Sequence, residues 1–169
     1  MTTCIFPYLL RGQSNSNILS LFTRLRVAAM ILDLAKIRSK IDSDRFAKFM
    51  GIRLLELKEG YSRLDMTVRS DMVNFHGVGH GGAIFALADA AFAAVSNSHG
   101  KTAVALCMTI NYRSPAKEGM RLITEGFEES LGGRTALYRM EVRTEDGTLI
   151  ASAQGTVFRK DEELSWLLE

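Results

Sequence analysis

The stretch that decides the fold of this 169-residue chain is NFHGVGHGGAIFALADAAFAAVS, residues 74–96. A glycine-rich loop occupies residues 74–82, and the alanine-rich remainder, residues 83–96, is apolar on almost every side. A helix of that composition is buried over most of its surface. The segment therefore predicts one long apolar helix at the centre of the molecule.

Strand-like segments lie on both sides of this helix along the chain. Two precede it, at 52–58 and 61–69, and in the second Leu64, Met66 and Val68 alternate with polar residues. Four follow it, at 103–114, 120–130, 134–144 and 148–159. Short turns such as Gly132-Gly133 and Asp146-Gly147 join neighbouring strands and force antiparallel pairing. One apolar helix and one large sheet must bury each other, so we predict an α+β hotdog fold, a curved antiparallel sheet of five to six strands wrapped around the helix.

Composition places the chain among ordinary globular proteins. It is 47% hydrophobic and 24% charged, and its formal net charge of +2 is too weak to indicate a nucleic-acid partner. No apolar run is long enough to span a membrane, so no membrane partner is predicted. The two cysteines, Cys4 and Cys107, form no CxxC pair, and Cys107 is predicted to be a buried thiol within an apolar strand. This cysteine usage favours a reducing, cytoplasmic location.

Residues 1–30 differ from the rest of the chain. They contain Arg11, Arg24 and Arg26 but no acidic residue, a composition found in transit peptides and also in a poorly ordered extension or an upstream start before Met30. The hotdog domain is predicted to span residues 31–160, beginning with helical spacing over 31–50. Residues 161–169 form a C-terminal tail that is acidic and then apolar.

Asp89 is the only ionisable side chain between Gly81 and Asn97. A carboxylate on an apolar helix is costly unless it is paired or used, so Asp89 either acts in catalysis or is satisfied by solvent or backbone amides. Gly81 and Gly82 open the helix, where free N–H groups and the positive end of the helix dipole can hold a developing oxyanion. Asp89 follows two turns later, near the face of these glycines or opposite a second helix in a dimer.

Other chemistries fit the same segment less well. Residues 77–82 spell G-x-G-x-x-G, but no acidic residue follows about 20 positions later to bind a ribose, which argues against a dinucleotide cofactor. His76 and His80 would need Asp89 or His99 as a third metal ligand, and no metal is predicted. No G-x-S-x-G motif is present to supply a serine nucleophile. The sequence therefore predicts no cofactor.

At these residues the sequence resembles the PaaI-like, phenylacetate-degradation branch of hotdog thioesterases. The resemblance covers about residues 43–159. It depends on these positions: Asn74, His80-Gly81-Gly82, Leu87-Ala88-Asp89, Phe92, Asn97-Ser98 and the run from Asn111 to Lys117. Phe75 is a departure, because relatives often have glycine there, and residues 103–108 lack the Ser or Thr that some related thioesterases have.

The resemblance implies hydrolysis of an acyl-coenzyme A thioester, with a phenylacetyl-type, medium-chain or hydroxybenzoyl acyl group. Asp89 would be the general base or the nucleophile, the Gly81 N–H would polarise the thioester carbonyl, and Asn74 would orient the water or the carboxylate. His80 is predicted to pack the loop or to line the pocket, and His80 and Gly82 are the candidate substrate-binding residues of the loop. The loop and the aspartate of one site would come from different subunits of a homodimer or homotetramer.

Coenzyme A has phosphates, for which Arg and Lys are the usual partners, so we expect Arg113 and Lys117 to contact it. The alternative for both residues is a solvated surface charge, as exposed Lys and Arg usually are. Two alternatives stay open. A hydratase or dehydratase acting on acyl thioesters would pair a histidine with a carboxylate, and His76 and His80 leave that chemistry possible. A non-catalytic module that binds acyl-coenzyme A is the other alternative.

Overall fold

The computed structural model describes residues 34–163. Three α-helices occur in this range: α1, helical over residues 34–42, α2 over Arg45–Met50 and α3 over Gly81–Ser96. The six strands are β1 Arg53–Lys58, β2 Tyr61–Thr67, β3 Lys101–Tyr112, β4 Arg121–Leu131, β5 Thr135–Thr144 and β6 Leu149–Glu163. The predicted extension over residues 1–30 and the apolar end of the predicted tail, residues 166–168, lie outside the described residues.

The strands form one antiparallel sheet in the order β1-β2-β4-β5-β6-β3. Helix α3 connects β2 to β3, the latter at the far edge of the sheet, and packs mainly against β2, β4 and β5. The sheet curves around the helix without closing into a barrel. The hotdog fold predicted from the alternation of strands around one apolar helix is therefore confirmed.

Small residues let α3 lie close to the sheet. Leu87, Ala88 and Ala91 on the helix are completely buried, as are Tyr138 and Met140 on the facing strand. The aromatic ring of Phe92 lies over Gly155 of β6, so near that a Cβ at position 155 would be 2.6 Å from the ring. A glycine is thus required where Phe92 packs against the strand.

Strand β3 does not follow a simple alternation of buried and exposed side chains. The register with β6 shifts between Ala105 and Cys107, which leaves Leu106 as an extra residue, a β-bulge. Ala103 before the bulge and Met108 after it both pack against the core, although their spacing is odd. The predicted burial of Cys107 is wrong, because the bulge and the edge position of β3 expose this free thiol.

Thr124 is the clearest stability defect in the core. Its side chain is completely buried between Leu64 and Val142, and its hydroxyl has no hydrogen-bond partner among the described residues. We expect Thr124→Val, which keeps the branched shape and removes the hydroxyl, to raise the free energy of unfolding by about 1 kcal/mol. Thermal unfolding measures this, and a lower melting temperature for the variant would contradict it.

Candidate active site

The glycine-rich loop is organised by the side chain of Asn74. Its Oδ1 accepts hydrogen bonds from the backbone N–H groups of His76, at 2.9 Å, and Val78, at 3.4 Å. The Asn74 N–H in turn donates to the Val78 carbonyl, and Gly77 at the tip has a φ of 76°, which favours glycine. Because Oδ1 is engaged in the loop, only the Asn74 side-chain N–H₂ group is left to contact a substrate or a water.

His80 caps the start of α3. Its Nδ1 accepts a hydrogen bond of 2.9 Å from the Gly82 N–H, so the ring proton must be on Nε2. The predicted substrate-binding residues His80 and Gly82 thus bond to each other, and neither lines the cavity next to the loop. In the structure, these two residues fix the start of α3.

Gly81 presents a free backbone N–H at that helix start. This N–H has no hydrogen-bond partner among the described residues, whereas the Gly81 carbonyl accepts a 2.9 Å hydrogen bond from the Tyr112 hydroxyl. A Cβ at position 81 would be 3.2 Å from the Tyr112 ring, so the tyrosine packs directly on the glycine. An unpaired N–H at the positive end of a 16-residue helix is suited to bind a developing negative charge on oxygen.

The space next to this N–H is a cavity of about 390 Å³, which we call the loop cavity. It is lined by Asn74, Val78, Gly79, Gly81, Ile84 and residues 112–115. Three of the predicted site residues, Asn74, Gly81 and Arg113, are thus brought together. Lys117, the other predicted phosphate contact, lies beyond the lining residues.

Asp89 lies outside the loop cavity, on the exposed side of α3. Its carboxylate has no hydrogen-bond or ion-pair partner among the described residues. Partial desolvation by the neighbouring atoms, and then the negative charge of Asp44, raise the pKa of Asp89. A partnerless carboxylate with a raised pKa is a suitable general base.

The separation of Asp89 from Gly81 limits what one chain can do alone. Eight residues of α-helix correspond to about 12 Å along the axis. A reacting carbonyl must lie within about 3 to 3.5 Å of both its attacking group and its oxyanion donor. One subunit therefore does not bring Asp89 and its own Gly81 N–H to the same carbonyl group.

Two contributors were absent from the residues expected from sequence. Asp44 caps α2 by accepting a 2.8 Å hydrogen bond from the Ala47 N–H, and its charge acts on Asp89. Tyr112 lies 31 residues after Gly81 and reaches it only because β3 ends beside the start of α3. Tyr112 belongs to the run from Asn111 to Lys117 that carries the resemblance, but nothing near it in the sequence indicates that it contacts Gly81.

Between residues 34 and 163, no three or more His, Cys, Asp or Glu side chains come close enough together to hold a metal ion. Within the same range, every helix is too short or too polar to cross a bilayer.

Removing the charge of Asp44 should shift the pH dependence of the Asp89 carboxylate. In Asp44→Asn, the asparagine still caps α2, but the repulsion that raises the Asp89 pKa is lost. A catalytic Asp89 must be ionised, so the acid limb of kcat/KM should move to lower pH. A pH profile of the wild type and the variant measures the shift, and a shift to higher pH would contradict the assignment.

A family model described as the thioesterase superfamily matches residues 76–151. Acyl-coenzyme A thioesterase PaaI of Escherichia coli strain K12 is 35% identical over 118 residues, which cover 70% of this chain and 84% of that protein.

Solved structures agree with this match. A mutant of the phenylacetic acid degradation protein PaaI from Thermus thermophilus is 43% identical, with a TM-score of 0.67 over 69% of this chain and 100% of that one. The smu.793 protein from Streptococcus mutans UA159, solved bound to acetyl CoA, is 29% identical, with a TM-score of 0.65 over 68% of this chain and 93% of that one.

Proposed function

The chain belongs to the thioesterase superfamily, whose members hydrolyse thioesters, and on that premise we propose that it cleaves an acyl-coenzyme A into the free acid and coenzyme A. The observation that supports this most is the free Gly81 N–H at the start of α3, beside a cavity that Arg113 also lines. The E. coli relative is named for the same reaction, and the S. mutans structure contains acetyl CoA.

In the proposed reaction the thioester carbonyl oxygen accepts a hydrogen bond from the Gly81 N–H. As the carbonyl carbon becomes tetrahedral, its oxygen gains negative charge, which the N–H and the helix dipole stabilise. Asp89 either takes a proton from the attacking water or attacks the carbon itself, forming an anhydride that water then hydrolyses. The carbon–sulfur bond breaks, and coenzyme A leaves as the thiol after protonation.

We propose that the two halves of the site come from different subunits of a homodimer, which could pair further into a homotetramer. The offset of about 12 Å between Gly81 and Asp89 along one helix supports a second chain as the source of the other half of the site. Strand β3 lies at the edge of the sheet and exposes Val104, Leu106 and Tyr112, with Leu106 60% exposed. An apolar edge strand of this kind pairs readily with another copy, which supports assembly through β3.

We propose that Arg113 contacts the phosphates of coenzyme A, because it lines the loop cavity beside Gly81. We also propose Lys117, an exposed residue four positions further along the same connection, as a second phosphate contact. A cytoplasmic location remains part of the proposal, and the exposed free thiol of Cys107 supports a reducing compartment.

Release of thiol from a panel of acyl-coenzyme A substrates, followed with a thiol reagent, tests the activity. Hydrolysis gives one thiol for each acid formed. A hydratase would leave the thioester intact and change only an enoyl substrate, and a binding module would bind acyl-coenzyme A without turnover. Tight binding without thiol release from any substrate would overturn the proposal.

Shared sites predict that two inactive variants restore each other. Asp89→Asn and Gly81→Pro each remove one half of the site, and co-expressed subunits combine at random. If the halves come from different subunits, a native site needs its Asp89 from a Gly81→Pro subunit and its Gly81 from an Asp89→Asn subunit. Random pairing meets both conditions in about a quarter of the sites. Activity of the co-purified mixture should therefore recover to about a quarter of the wild-type value. Sites built within one subunit would show no recovery.

A further inference from the structure

The backbone groups next to the Gly81 N–H are held by hydrogen bonds within the protein. The His80 carbonyl accepts from the Ala83 N–H at 2.9 Å, and the Gly82 N–H donates to His80 Nδ1 at 2.9 Å. The Gly81 carbonyl accepts from the Tyr112 hydroxyl, also at 2.9 Å. These bonds fix the first turn of α3 and leave the Gly81 N–H as a donor to a ligand.

The hydrogen bond to Gly81 also determines what Tyr112 can offer a ligand. A tyrosine hydroxyl has one proton to donate and two lone pairs that accept. Partial burial raises the pKa of Tyr112, so the hydroxyl keeps its proton at neutral pH, and that proton is donated to the Gly81 carbonyl. No group among residues 34–163 donates to the Tyr112 oxygen in return. Tyr112 Oη is therefore an acceptor with its lone pairs open.

This acceptor belongs to the wall of the loop cavity, which Tyr112 lines and where its side chain is half exposed. Oη would be 3.2 Å from a Cβ at position 81, so it lies beside the residue that supplies the free N–H. The other polar lining side chains differ. Asn74 has only its N–H₂ group left, and the Arg113 guanidinium only donates. Tyr112 and Ser114 are the two lining side chains with an oxygen that can accept.

A coenzyme A thioester has polar groups that match this wall. Its carbonyl oxygen accepts hydrogen bonds, and the first amide N–H of the pantetheine arm donates them. Only the sulfur and two methylene groups separate the thioester carbonyl carbon from that amide nitrogen. An amide N–H that leaves water without finding an acceptor weakens binding, so a site for such a thioester needs an acceptor close to its oxyanion donor.

On the basis of the proposed function, we propose that Tyr112 Oη accepts a hydrogen bond from the first pantetheine amide N–H while the Gly81 N–H binds the thioester carbonyl. Tyr112 thereby distinguishes thioesters of a pantetheine thiol from thioesters of simple thiols. Because the amide is the same before and during the reaction, this bond stabilises the substrate and the transition state equally, and its loss raises KM more than it lowers kcat.

The test uses three thioesters with one acyl group: the coenzyme A thioester, the N-acetylcysteamine thioester, which keeps the amide, and the 4-oxopentyl thioester, in which a CH₂ replaces the N–H. Tyr112→Phe should lower kcat/KM about three- to tenfold for the first two, mainly through KM, and leave the third unchanged. In the wild type, the N-acetylcysteamine thioester should exceed the 4-oxopentyl thioester by a similar factor.

The ratio of kcat/KM for these two short thioesters cancels any general effect of a substitution on folding or assembly. An equal loss for all three substrates would mean that Tyr112 acts only by holding Gly81 in place, and it would overturn the inference. Equal wild-type values for the two short thioesters would also overturn it, while the hydrolysis itself stands. Absence of thiol release by the wild type from all three would overturn the proposed function, and this inference with it.

Two further variants assign the effect to one hydroxyl. Tyr61→Phe is the matched control, because the Tyr61 hydroxyl donates to Glu125 at 2.6 Å and does not line the loop cavity, so the ratio should equal that of the wild type. Ser114→Ala removes the other hydroxyl of the lining and should also keep the ratio. A ratio that falls in Ser114→Ala and not in Tyr112→Phe would overturn the assignment of the acceptor to Tyr112.

Discussion

Asp89→Asn should lower kcat at least about a hundredfold, the size of effect expected when a general base is removed. The carboxylate has no partner among the described residues, so the isosteric amide breaks no hydrogen bond or ion pair of the fold. Steady-state thiol release from the preferred acyl-coenzyme A measures the loss. A purified, assembled variant with near-wild-type turnover would exclude Asp89 from the chemistry.

The same substitution should not destabilise the protein at neutral pH. The pKa of Asp89 is raised in the folded state, which means that folding disfavours the ionised form. The stability penalty of the wild type therefore develops as pH rises through the raised pKa, and it is absent in acid, where the carboxyl is protonated in both states. We expect the melting temperature of Asp89→Asn to equal or exceed that of the wild type at pH 7, and the difference to close as pH falls. A lower melting temperature at pH 7 would indicate that the carboxylate has a structural partner.

Gly81→Pro should lower kcat about a hundredfold to a thousandfold relative to Gly81→Ala, because it deletes one oxyanion donor. Position 81 is the first residue of α3, where proline is well tolerated because this N–H has no partner inside the helix. The preceding residue, His80, has φ −61° and ψ 133°, the extended backbone that a residue before proline prefers. The variant therefore removes the N–H and keeps the fold.

Gly81→Ala is the control that separates the loss of the N–H donor from the crowding caused by an added Cβ. Both variants place a Cβ near the Tyr112 ring, where the contact would be 3.2 Å, but only alanine keeps the N–H. Equal losses in the two variants would mean that crowding of Tyr112, and not the missing hydrogen bond, explains the effect. Circular dichroism and sedimentation confirm that each variant is folded and assembled.

The sequence predicted the fold well because its signals are local and periodic. The apolar run of α3 and the alternation in the strands around it each indicate an element, and the short turns between strands indicate antiparallel neighbours. Strand β3 was the exception. One inserted residue, Leu106, reverses which side chains face the core, and an apolar strand at a sheet edge looks the same in sequence as one in the centre.

Within the site, the sequence determined which residues are chemically unusual. It singled out Asp89 as an isolated carboxylate on an apolar helix and Gly81 as an open N–H at the start of that helix. Both judgements depend only on residue type and position along one element, which a sequence displays directly.

Only the tertiary structure decided how those residues are arranged. It engages Asn74 Oδ1 and His80 Nδ1 in backbone hydrogen bonds, brings Tyr112 onto Gly81, and sets the charge of Asp44 beside Asp89. It also forms a cavity of about 570 Å³ between α3 and the helices α1 and α2, segments up to about 60 residues apart in the chain. Such contacts follow from how the helices and the sheet pack in three dimensions, and packing joins residues whose separation in sequence carries no periodic signal.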